Sequence, residues 1–154
     1  MIVNDIYNSH IDPIHEDMTV RDAVAILLKA RHNGVLVLDE RHELIGIFCI
    51  QDVVAAVVPE EMRENINLAN AMYKSGFFEE RCAHIKDKKV KHLMRTEFFR
   101  ITRETNIMAL AAEFLNTDLY MFPVMEKEGS NKVVGVITRS EVKKALAAGM
   151  DINT

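Results

Sequence analysis

The chain has 154 residues, 49% of them hydrophobic and 27% charged, with a formal net charge of -4 at pH 7, the profile of a globular protein able to bury its own core. An acidic balance argues against a nucleic-acid footprint, which needs clustered positive charge, and Cys49 and Cys82 are too few and too separated for a disulfide framework or a zinc site, so reduced thiols are expected. No apolar run approaches the roughly eighteen residues of a membrane helix, and the opening Met1-Ile2-Val3-Asn4-Asp5 lacks the basic-then-apolar order of a secretion signal, which points to the cytoplasm.

In chain order, a leading segment around Val3 and Ile6 runs into a short strand over 12–15. Asp17 or Thr19 then caps a helix whose Val20, Ala23, Val24, Leu27 and Leu28 follow the i, i+3, i+4, i+7 spacing of one buried face. Asn33-Gly34 ends that helix. Residues 35–38 and 44–49 read as continuous apolar strands, central in a covered sheet and joined by the polar turn 39–43. A second helix is predicted over 51–58, and Pro59 marks where it stops or a new one starts. Residues 59–88 read as a helical insert. Met62, Ile66, Ala69, Tyr73 and Phe77 form an amphipathic stripe that Gly76 breaks or ends, and packing on its own protein or an identical subunit is favoured over a foreign partner, which Phe77-Phe78 keeps open. Lys86, Lys88, Lys89, Lys91 and Arg95 read as solvated surface. The earlier order then returns: a strand over 98–101, Thr102 or Thr105 ahead of a helix with Ile107, Leu110, Ala111, Phe114 and Leu115, strands over 120–125 and 133–138, and a closing helix over 140–148.

This return is a duplication. Sliding the chain so that Val3 falls on Val90 also puts Ile6 on Leu93, Ile14 on Ile101, Val20 on Ile107, Ala23 on Leu110 and Leu27 on Phe114. After a turn that is two residues longer in the second copy, Gly46 falls on Gly135, Cys49 on Thr138 and Asp52 on Glu141. Two related halves imply a pseudo-two-fold unit with a shared core and two related clefts. The expected fold is α+β, with one β-α-β-β-α motif over 1–58, the insert over 59–88 and a second motif over 89–154.

The repeated strand-to-helix junction carries the chemistry. In the second copy, Gly135-Val136-Ile137-Thr138-Arg139-Ser140-Glu141 ends a buried strand in a hydroxyl, with an acid three positions later in the first turn of a helix. A glycine admits a ligand or a neighbouring backbone, a hydroxyl can bond phosphate or sugar, a carboxylate can accept both hydroxyls of a ribose, and free helix N–H groups suit a phosphate. The same spacing also describes an ordinary capping box; its occurrence twice in matched halves is what favours a nucleoside.

The chain resembles a tandem pair of cystathionine beta-synthase (CBS) domains, a Bateman module. The resemblance rests on the leading segments Val3-Asn4-Asp5-Ile6 and Val90-Lys91-His92-Leu93-Met94, on Phe122-Pro123-Val124, and on the two junctions. It implies an intramolecular pseudo-dimer that pairs again into a disc-like homodimer, binds adenosine derivatives (AMP, ADP, ATP or S-adenosylmethionine) between its motifs, and reports occupancy to a regulated protein without catalysis of its own. The family's junction is Gly, two apolar residues, Ser or Thr, two variable residues, then Asp. The first copy keeps Asp52 but has Cys49 at the hydroxyl position; the second keeps Thr138 but has Glu141 at the acid. The second is thus the better phosphate site and the first the better ribose reader, and occupancy of at most one kind of cleft per module is expected. By the same resemblance the adenine contacts are Thr96, Phe99, Ile101, Tyr120, Phe122 and Pro123 in the second copy and Ile14, Gly34 and Val35 in the first, most of them also plausible core residues.

Other candidates have plainer readings. The six histidines form no zincin-type pair and read as surface, so no metal is expected. Cys49 lacks a flanking base and reads as a buried filler before a nucleophile. Met121 and Met125, with Met72, read as packing or as an adaptable subunit contact. Arg139 beside Thr138 reads as solvated or as an offset to phosphate charge. No nucleophile–base pair supports an enzyme. Two functions stay open: a ligand sensor, and an interaction scaffold whose clefts have decayed.

Overall fold

The computed structural model describes residues 1–71 and 76–153. The apolar strands pair into two three-stranded sheets of the same order. In the first, β1 (Ile14–His15) runs parallel to β2 (Gly34–Leu38), which pairs antiparallel with β3 (Leu44–Cys49). In the second, β4 (Ile101–Thr102), β5 (Met121–Met125) and β6 (Val133–Thr138) do the same. Both sheets carry an irregularity at the equivalent place, between Val37 and Leu38 and between Val124 and Met125. Alternation along the strands then feeds two faces at once. Val35, Val37 and Phe48 join a core with α1 (Val20–Lys29) and α2 (Ile50–Val57), while Phe122, Val124 and Ile137 join one with α6 (Ile107–Leu115) and α7 (Arg139–Gly149). Leu36, Ile47 and Cys49 meet Leu119, Met121, Met125 and Val136 in a third core between the two sheets. Met121 and Met125 are therefore interior packing, not a subunit contact; Met72 lies outside the described residues.

Each half is completed by the other's leading segment. Residues Val3–Asp5 form a 3-10 turn whose Val3 sits in the core of the second half, with Val3 N–H donating to Thr105 O and Asn8 exchanging both backbone bonds with Val136. Residues Val90–His92 repeat this in the first half: Val90 sits in its core, its N–H donates to Met18 O, and Arg95 exchanges both backbone bonds with Ile47. The glycines of the two junctions serve this exchange. A Cβ on Gly135 would overlap the Tyr7 ring and lie 2.5 Å from Asn8 O, and one on Gly46 would lie 2.5 Å from Met94 Sδ and 3.0 Å from Arg95 O. Of the two uses open to these glycines, close approach of a neighbouring backbone is the one the fold makes.

Several local expectations change. Thr19 caps α1 by accepting from Asp22 N–H, but Asn106, not Thr102 or Thr105, caps α6 by accepting from Met108 N–H. α1 ends at Lys29, and Gly34 opens β2 instead of closing the helix. The buried stripes are narrower than the spacing suggested: Leu28 and Leu115, equivalent in the two copies, are each 83% exposed. Among its described residues the insert forms three short helices, α3 (Glu60–Arg63), α4 (Ile66–Ala71) and α5 (Phe77–Ile85), and Ile66 is 82% exposed. Gly76, at φ 84°, precedes α5, the left-handed conformation that glycine adopts freely; Tyr73 lies outside the described residues. The insert also braces the first motif. Ile85 enters its core, and the Arg81 guanidinium donates to Val57 O at 2.8 Å and Ala56 O at 3.2 Å, satisfying carbonyls at the end of α2.

Candidate functional site

Two adjoining pockets lie between the halves and share part of their lining. The first, about 230 Å³, lies where both strand-to-helix junctions converge: Gln51 at the start of α2 faces it from one half, and Arg139, Ser140 and Lys143 in the first turns of α7 from the other. Arg31 and His32 in the turn after α1, and Asp118, Leu119 and Tyr120 in the segment before β5, also line it, so one carboxylate stands among its cations. The second, about 510 Å³, is framed by Asn8, Ile11 and Asp12 of the leading segment, by Ile26 on α1, and by Val35, Leu36, Met121 and Val136 from the sheets. Arg31, His32, Gly34 and Met121 line both. A mainly apolar space within the size range of small-molecule pockets thus adjoins a smaller one that holds three cationic side chains and the Asp118 carboxylate.

The Thr138 junction behind this cleft is tightly wired. Glu141 Oε2 accepts from Thr138 N–H at 2.7 Å and from the Thr138 hydroxyl at 2.6 Å, with the two residues 2% and 3% exposed. The structure therefore uses the pair as a capping box, which starts α7 directly at the end of β6. Arg139, next in sequence, is exposed and stacks its guanidinium 4.2 Å from the Tyr120 ring centroid at the chamber wall. Tyr120 in turn packs on Phe114 at 4.7 Å.

The Asp52 junction is built differently. Arg95, on the leading segment of the second half, donates from Nη1 to Asp118 Oδ1 at 2.8 Å, and its Nη2 lies 3.4 Å from Asp52 Oδ1. Asp52 Oδ2 is buried without a hydrogen-bond partner. The bond from Arg95 holds the Asp118 carboxyl below the usual carboxylate range. Cys49 is fully buried, and desolvation raises its thiol pKa to about 12, so it is a neutral filler in the shared core. Arg95 is thus half-buried and engaged, unlike Lys89 and Lys91, whose ammonium groups pair with Asp17 at 3.3 and 3.1 Å on the surface.

The structure regroups the residues singled out in the sequence. Gly34 and Val35 line the cleft together with Tyr120 and Arg139, from opposite copies. Ile14, Ile101 and Phe122 are core residues and Pro123 is buried. Thr96 is exposed, and Phe99 stands edge-on to Phe122 at 6.4 Å. Because the leading segments cross over, the segment carrying Thr96 and Phe99 starts beside the first copy's junction, where Arg95 pairs with Ile47, while the open cleft takes Asn8 to Asp12 from the first copy. The repeat itself held that signal: the register that superposes Val3 on Val90 places Ser9 and Asp12 on Thr96 and Phe99. Arg31, His32 and Lys143 carried no motif.

Two matched sheets packed face to face, each finished by the other's leading segment around a shared cleft, define a module built by duplication. The chain belongs to the CBS-domain family, whose sequence pattern matches residues 3–59 and again 90–148. Solved structures agree in fold. AcuB from Vibrio cholerae superposes with a TM-score of 0.72 at 17% identity, covering 98% of this chain and 93% of that one. The CBS-domain containing protein ATU1752 from Agrobacterium tumefaciens gives 0.71 at 19%, covering 94% and 92%. CBSX2, solved in complex with AMP, gives 0.70 at 22%, covering 97% and 98%. No curated protein matches the sequence. Among the described residues no helix is long and apolar enough to cross a membrane.

Proposed function

We propose that the chain is a cytoplasmic regulatory module that binds an adenosine derivative in the cleft between its CBS motifs and passes occupancy on through a homodimer or a regulated partner, without catalysis of its own. The observation that carries this reading is the two-chamber cleft. Its apolar-walled end, with Ile11, Val35, Leu36 and Met121, suits a purine, and its other end offers Arg31, Arg139 and Lys143 to phosphate. The AMP complex of CBSX2, a protein of the same fold, supports an adenine nucleotide over other ligands of that size.

A ligand that binds only the folded protein adds about 2.7 kcal/mol at one hundred times its dissociation constant, which for a chain of this size is a melting shift of roughly 5–10 °C. A thermal screen against AMP, ADP, ATP, S-adenosylmethionine and NADH is expected to show such a shift for at least one adenosine compound. Folded protein that shows none at millimolar ligand would end the sensing role. A second reading, a scaffold with decayed clefts, is favoured by one observation: the two acids suited to ribose are already engaged, Glu141 by its own helix cap and Asp52 by Arg95. It expects association without ligand response, and a partner lost on Phe78→Glu, an exposed position on α5. Deleting the insert would not test this, because Ile85 and Arg81 brace the first motif.

A further inference from the structure

We propose that Arg95 is an internal occupant of the cleft at Asp52, so that the module takes one nucleoside ligand instead of the two its duplication would allow. The inference rests on the nucleoside reading of the opposite cleft. It begins from the way the two junctions differ at equivalent positions. Arg95 stands at the position equivalent to Asn8, and Asp118, which reaches both junctions, at the position equivalent to Arg31; Glu141, folded into its own helix cap, is matched by Asp52. At the Asp52 junction the result is a pair of carboxylates bridged by one guanidinium.

The geometry makes that guanidinium a fixture. Arg95 is anchored by its backbone to Ile47 on β3 through bonds of 2.9 and 2.8 Å, and its side chain reaches Asp118 at 2.8 Å and Asp52 at 3.4 Å. A planar fork with several donors can span two carboxylates in one fixed geometry. It covers only one oxygen of Asp52, however. The other is buried without a partner, the arrangement expected of a carboxylate placed for two donors, such as the paired hydroxyls of a ribose, and given one. The same fork neutralises Asp118, which also lines the open cleft, so the contact that fills one site removes an anionic repulsion from the other.

The test is the stoichiometry of adenosine, chosen because it lacks a phosphate for Asp118 to repel, measured by calorimetry on the full chain. The wild type is expected to bind one adenosine. Arg95→Ala combined with Asp118→Asn is expected to bind two, and adding Asp52→Asn to that variant should weaken only the new site, by at least tenfold. Should the double variant fail to fold, Arg95→Gln, which keeps much of the stem, takes its place with the same expectation. One adenosine in both wild type and variant overturns the role of Arg95 and leaves the open cleft standing. Two in the wild type also overturns it. None in the wild type but one in the variant, lost with Asp52→Asn, supports Arg95 as occupant and removes the open cleft as the ligand site. None in either overturns both.

Discussion

Burial sets the chemistry of Cys49. Its thiol has no exposed surface, and desolvation, only partly opposed by the nearby Arg95 charge, moves its pKa from 9.0 to about 12. A pKa raised on folding favours the native state fully below the unfolded value near 9, and that preference is lost as pH rises through 12. At pH 8 the native thiol is therefore about a thousandfold poorer in thiolate than an unfolded one. Iodoacetamide is expected to label the half-buried Cys82 in the native protein and Cys49 only in denaturant, read by mass spectrometry; comparable native rates would rule the account out. The Asp118 carboxyl titrates the other way. Its pKa is lowered, chiefly by the hydrogen bond from Arg95, so its contribution is present above the ordinary carboxylate value and is lost as pH falls through the depressed one. Asp118 is 69% exposed at its side chain, so the effect is at most about 1 kcal/mol. Melting temperatures of wild type and Asp118→Asn should converge as pH falls below about 4 and separate above it, whereas a constant gap would show that the pair does not act through charge.

At the level of elements, the glycines of the two junctions make unequal demands. The Cβ of Gly135→Ala would meet the Tyr7 ring and the Asn8 carbonyl, and that carbonyl is fixed by its bond from Val136 N–H. Gly46→Ala meets mainly the Met94 thioether, a flexible chain end that can move aside. Overpacking of a tight site costs typically 1–3 kcal/mol. The midpoint of urea unfolding should accordingly drop more for Gly135→Ala than for Gly46→Ala, and the reverse order would show that Asn8 is not held against β6. This contrast also marks what the sequence could disclose. Strands over 44–49 and 133–138 were legible because runs of buried apolar residues have few alternatives, and the repeated glycines were legible as close approaches. Which backbone approaches them was not, since a three-residue 3-10 turn carries no periodicity and its partners lie in the other half. The insert reads as one stripe for a related reason: helices as short as Glu60–Arg63 and Ile66–Ala71 depend on their tertiary setting, which spacing does not encode.

For the whole molecule, the duplication is legible in the sequence but groups site residues by copy, whereas the crossing of the leading segments builds the open cleft from both. The same duplication leaves a mark on the outside. Leu28 and Leu115 occupy equivalent helical positions, and each is 83% exposed although its neighbours Leu27 and Phe114 pack inward. Scattered apolar residues on a surface need no explanation; the same large side chain left outside in both halves suggests a face that a second copy covers. Burying a leucine contributes roughly 1.5–3 kcal/mol, and in a two-fold dimer each substitution counts twice. Leu28→Glu with Leu115→Glu is therefore expected to convert a dimer, seen by light scattering at micromolar concentration, into a monomer with unchanged circular dichroism. Because neither leucine lines the cleft, adenosine binding should persist in that monomer. A wild type that is already monomeric, or a dimer that survives both charges, would place the subunit contact elsewhere and leave the paired leucines as mere surface.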